Sequence, residues 1–87
     1  MNNADFIKKY GRYEFNEMCK YLPQQLTYAR MCKQIGGFKI SNRKKVVKFY
    51  RKSGKSIYLE FATIFSVGNE RLSDYLDKKE RAMSDEK

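Results

Sequence analysis

The fold turns on Arg43–Val67, RKKVVKFYRKSGKSIYLEFATIFSV. On a helical wheel, Val46, Val47, Phe49 and Tyr50 gather on one side of residues 43–52, with Lys44, Lys45, Lys48, Arg51 and Lys52 opposite; only Arg43 strays. As a strand, the same run sets Lys45 beside Val47 and Phe49 on one face, a poorer separation. The pattern predicts a helix, stopped by Ser53-Gly54. Ser56 then opens an ambiguous stretch. Ile57, Leu59, Phe61, Phe65 and Val67 alternate as a strand would, while Ile57, Phe61, Ile64 and Phe65 also fit a helical face. No turn residue divides Ser56 from Ser66, which makes a tight hairpin awkward. Val67-Gly68-Asn69 reads as a turn with Asn69 as N-cap. A charged helix follows from Glu70 to about Ala82, with Leu72, Tyr75 and Leu76 facing inward.

Upstream, Asn3 to Tyr10 suits a short helix, loosened at Gly11. Phe15, Met18, Cys19 and Leu22 recur at amphipathic spacing until Pro23, which stops that helix and starts the next. There Tyr28, Met31, Cys32 and Ile35 repeat the spacing, and Gly36-Gly37 ends it. FNEMCKYL from Phe15 and YARMCKQI from Tyr28 are alike, so residues 1–37 are expected to form a helical hairpin or a dimerisation surface. Phe38-Lys39-Ile40 is an extended link, and Ser84 to Lys87 should fray. The expected fold is all-α, one domain of four to five short helices.

Charge is unevenly spread. The net charge is +9, yet Met1–Glu17 is neutral and Ser56–Lys87 is slightly acidic. Met18–Lys55 carries eleven basic residues and no acid. Such a block repels itself unless a polyanion relieves it by counterion release. Nucleic acid is the first candidate partner, with an anionic membrane or an acidic protein surface second.

Other classes are poorly served. The chain has no histidine, so it lacks the imidazole of Ser-His and Cys-His pairs and the commonest metal ligand. Cys19 and Cys32 lack metal-site spacing and read as reduced, buried thiols. Neither an enzyme nor a cofactor or metal site is expected. The chain opens without a basic or strongly apolar run and contains no 18-residue apolar span, so a cytoplasmic location is expected and no membrane crossing.

From Arg43 onward, the order basic helix, Gly54-Lys55-Ser56, apolar helix, turn, helix resembles the trihelical helix-turn-helix domains of resolvases, transposases and many phage or plasmid regulators. Ala62 matches the small residue that admits the next helix. Phe61 and Phe65 match its apolar neighbours, Ser66 and Val67 the turn, and Leu72 and Tyr75 the inward side of the recognition helix. The likeness spans Arg43 to Lys79. The turn glycine of that family is Ser66 here, and the recognition helix exposes Glu70, Asp74 and Asp77.

The resemblance implies a helix-turn-helix in the C-terminal half and a regulator of transcription or of a mobile element that binds duplex DNA, with a homodimer as the form in which two half-sites add. Lys44, Lys45, Lys48, Arg51, Lys52 and Lys55, with Lys33 and Lys39 nearby, would grip phosphates. Asn69, Arg71 and Ser73 would read base edges. Two alternatives stay open: a small inhibitor or adaptor that binds a host protein, such as a phage-type antagonist of a nucleic-acid enzyme, and an RNA-binding protein. For the latter, Tyr50 and Tyr58 interleave with the lysines and would stack on unpaired bases.

Overall fold

The expected helix at 43–52 fails at Lys45. That residue takes the left-handed conformation, with φ of 57°, so the chain turns there and extended backbone begins at Val46. Val46-Val47 is β-branched and suits a strand. Because Lys45 belongs to the turn, it does not share a face with Val47 and Phe49, and the alternation is clean. Val47 and Phe49 are fully buried, while Val46, Lys48 and Tyr50 point the other way.

The computed structural model describes residues 1–31 and 35–84. In chain order these form α1 (Asn3–Tyr10), α2 (Arg12–Met31), β1 (Phe38–Ser41), β2 (Val46–Tyr50), β3 (Ser56–Glu60), α3 (Phe61–Val67) and α4 (Asn69–Ser84). The strands make one antiparallel sheet in the order β1-β2-β3. The molecule is therefore α+β, which corrects the all-α expectation. Phe38 pairs with Phe49 and Phe49 with Ile57, Ile40 with Val47 and Val47 with Leu59. These rows face the helices.

Strand passes into helix directly between Glu60 and Phe61, with no turn residue. The new helix start is satisfied from elsewhere in the chain. Phe61 N donates to the Lys45 carbonyl at 3.0 Å, and Ala62 N donates to Asn3 Oδ1 at 3.0 Å. Two of the four backbone donors that every helix start leaves open are thus used. Gly68, at φ 85°, separates α3 from α4 and closes α3 by donating to Ile64 O.

The expected helical hairpin at Pro23 is also corrected. Helix α2 runs unbroken through the proline. Its inward stripe is Phe15, Met18, Leu22, Leu26 and Ala29, all buried. Burying a large apolar side chain contributes roughly 1.5–3 kcal/mol, and Leu22 and Leu26 offset the cost of about 3 kcal/mol for an interior proline. Tyr28 and Met31, expected inward, are exposed at 65% and 77%. Cys32 and Lys33 lie outside the described residues.

The helices pack on one side of the sheet, with Phe6 from α1, Phe61 and Ile64 from α3, and Leu72 and Leu76 from α4 completing the core. Of the three helices that a helix-turn-helix needs, the first is strand β2, and half of the second is strand β3. Phe65, which that arrangement would bury, is 50% exposed and meets Phe6 edge-on at 5.8 Å. Among the described residues, no helix is long and apolar enough to cross a membrane.

Candidate functional site

The side of the sheet away from the helices is set by register. Lys39, Lys48 and Tyr58 lie side by side across the three strands, and Ser41, Val46 and Glu60 form the next row. Tyr50 stands opposite Gly37, to whose carbonyl its N–H donates at 2.9 Å, and next to Ser56. Gly37, Ser41 and Ser56 thus flank two rings and two ammonium groups. Tyr58 is 63% exposed and Tyr50 45%.

Lys48 sits between the rings, its Nζ 5.1 Å from the Tyr50 centroid and 5.6 Å from that of Tyr58. This is cation–π range. Lys39, Lys44 and Lys48 then converge with Ser41, Val46 and Tyr58 on a cleft of about 260 Å³. Lys44 reaches it from the β1–β2 turn, where its N–H donates to Ser41 Oγ at 3.3 Å. Two lysines directly opposite on neighbouring strands repel. Among the described residues, no carboxylate pairs with Lys39, Lys44 or Lys48. Glu60, the acid on this face, accepts from Asn3 N at 3.0 Å. The cleft has the charge and shape for a bound anion.

The other expected contacts do not gather here. Lys45, in the β1–β2 turn, lies close enough to α2 for its charge to act on Cys19; burial raises that thiol's pKa, and Lys45 opposes the rise. Arg51 lies beyond the far end of β2. Its guanidinium pairs with Asp77 through Nη2 and with Glu80 through Nε, the latter at 3.4 Å. Glu80 also accepts from Ser53 Oγ at 3.0 Å. The acids of the terminal helix thus neutralise one member of the expected cationic ridge. Lys52 is exposed in the β2–β3 turn. Lys55 closes that turn through its carbonyl, which accepts from Arg51 N at 3.0 Å.

The three expected base readers on α4 also diverge. Asn69 is the first residue of the helix. Ser73 lines a cavity with Arg30, Tyr50, Arg51 and Asp77, whereas Arg71 lines another with Ser66, Asp74 and Lys78. Lys39 and the two tyrosines were visible in sequence as neighbours of the basic block, but only the strand register puts them on one face with Lys48. Among the described residues, no group of three or more Cys, Asp or Glu is placed to hold a metal ion. No family model matches the chain, nor does any curated protein or solved structure.

Proposed function

We propose that this is a small, non-catalytic nucleic-acid-binding protein whose contact surface is the outer face of the β-sheet. The observation that carries the reading is the convergence of Lys39, Lys44 and Lys48, none paired with a carboxylate among the described residues, on one cleft beside an exposed tyrosine. The phosphates of a nucleic acid relieve the mutual repulsion of these lysines, and release of condensed counterions supplies the affinity. A regulatory role at an intracellular site, where nucleic acid is met, is part of the same proposal. The absence of histidine from the chain supports a binding role over a catalytic one.

The test is fluorescence anisotropy of labelled oligonucleotides against wild type and the double variant Lys39→Ala/Lys48→Ala. The reading expects binding that weakens with salt and falls at least about tenfold in the variant. Equal binding by the variant would place the contact elsewhere.

A second reading, a protein-binding adaptor, is favoured by the outward side of α2, where Tyr13, Tyr21, Tyr28 and Met31 are all exposed. Exposed aromatic residues on one helix side suit a protein interface. Under that reading, Tyr21→Ala/Tyr28→Ala abolishes capture of the partner, and the lysine variant does not.

A further inference from the structure

We infer that the ligand of the sheet face is single-stranded nucleic acid, with unpaired bases stacked on Tyr58 and Tyr50, the phosphate between them held by Lys48 and the neighbouring phosphates by Lys39 and Lys44. The inference rests on the nucleic-acid reading above and narrows it. In a duplex the flat faces of the bases are already stacked on one another, and only their edges are open to a protein. The exposed ring of Tyr58 has nothing to stack on in such a ligand. An unpaired base offers its whole face.

Three features suit an unpaired strand. First, Tyr58 stands in the middle row of the open face, away from the core, so its exposure has no packing role. Second, the position across from Tyr50 is Gly37. A Cβ there would stand 3.7 Å from Tyr50 Cδ2 and 3.9 Å from its Cβ, so a larger side chain would cover the flank of the ring. Glycine leaves that approach clear, a common reason for glycine at a strand position. Third, one ammonium serves both rings. In the free protein Lys48 Nζ lies over Tyr50 and Tyr58. On binding, the bases take its place over the rings and the charge moves to the phosphate between them.

Width argues the same way. Three strands at about 4.8 Å spacing, with side chains, exceed what the major groove, about 12 Å wide, admits; a two-stranded ribbon fits there. The strands have four or five residues each, so the face is about 13–17 Å long. That length takes two or three nucleotides of an extended strand. The chemistry is common to DNA and RNA, because stacking and phosphate contact do not involve the 2′-hydroxyl.

The experiment compares four fluorescein-labelled ligands by anisotropy at one salt concentration: a dT 12-mer, an rU 12-mer, a 12-nucleotide abasic strand with the same phosphates, and a 12-base-pair duplex. The dT or rU strand should bind at least about tenfold more tightly than both the abasic strand and the duplex. Tyr58→Ala should weaken that binding about 5- to 100-fold, and Tyr58→Phe should retain it within about twofold. Binding of either sugar supports the inference, and the preference between them identifies the source.

Equal affinity for the abasic strand, or tighter binding of the duplex, overturns stacking. If that residual binding still depends on Lys39 and Lys48, the nucleic-acid reading survives without it. Absence of binding to all four ligands overturns both. The abasic comparison uses wild-type protein, so it decides the question even if a tyrosine variant fails to fold.

Discussion

Asn3 joins three parts of the chain that are far apart in sequence. Its Nδ2 donates to the Lys45 carbonyl at 3.0 Å, its Oδ1 accepts from Ala62 N at 3.0 Å, and its backbone N–H donates to Glu60 at 3.0 Å. Asn3→Ala removes both side-chain bonds and leaves a helix donor open, so stability should fall by about 1–2 kcal/mol in urea denaturation. An unchanged midpoint would show that this clip contributes nothing.

Arg51 and Lys48 carry the same charge but differ in consequence. Arg51→Ala should cost stability by about 0.5–1 kcal/mol, because the Asp77 side of its pair is half exposed, and should leave nucleic-acid affinity within about twofold. Lys48→Ala should do the reverse, which paired melting and anisotropy measurements on the two variants would check. Cys19 offers a pH test in a Cys32→Ser background. Burial raises its thiol pKa in the folded protein, so the unfolded chain loses its proton first as pH rises. Stability should therefore decline above the ordinary thiol pKa, and Cys19→Ser should flatten that decline.

At the scale of elements, α2 shows packing prevailing over a local breaker. Pro23 has no N–H to offer the Cys19 carbonyl, and its ring crowds the preceding turn. Pro23→Ala should stabilise the protein by about 1–3 kcal/mol, read as a rise in the denaturation midpoint. A drop would mean that the proline sets a bend the core needs.

Much of the helical content was legible in sequence. The short helix at the N-terminus and the charged helix after Gly68 both appear where spacing and turn residues put them, and the basic block was plain from composition. The sheet was not legible, because residues 43–52 separate apolar from basic side chains better on a helical wheel than in a strand alternation as long as Lys45 is counted. One residue decides between them. With Lys45 in a left-handed turn, the strand starts at Val46, and the lysine that spoiled the alternation is no longer part of it. Nor was the junction at Glu60–Phe61 visible. Its capping partners are Asn3 and Lys45, and no local motif encodes contacts over such separations. Of the candidate site, Lys44 and Lys48 were read from the basic pattern, Lys39 as a nearby phosphate contact, and Tyr50 and Tyr58 as stacking residues of an RNA-binding alternative. Their grouping on one face depends on strand pairing.

At the scale of the molecule, the helices cover one side of the sheet and leave the other open, and the acids are placed accordingly. Asp77 and Glu80, in the second half of α4, hold Arg51, whereas no carboxylate among the described residues pairs with Lys39, Lys44 or Lys48 on the outer face. Three phosphate contacts on this face, by Lys39, Lys44 and Lys48, predict that log K falls against log salt with a slope of about −2 for single strands. A slope near zero would remove the electrostatic basis of binding.

The most direct test of the sheet face as the contact surface is an amide chemical-shift titration of the isotopically labelled protein with a dT 12-mer. The largest shifts are predicted at Gly37, Lys39, Ser41, Lys48, Tyr50 and Tyr58, with Arg51, Arg71 and Ser73 near their free positions. Shifts concentrated on the exposed side of α4, or on α2, with the sheet unmoved, would contradict it.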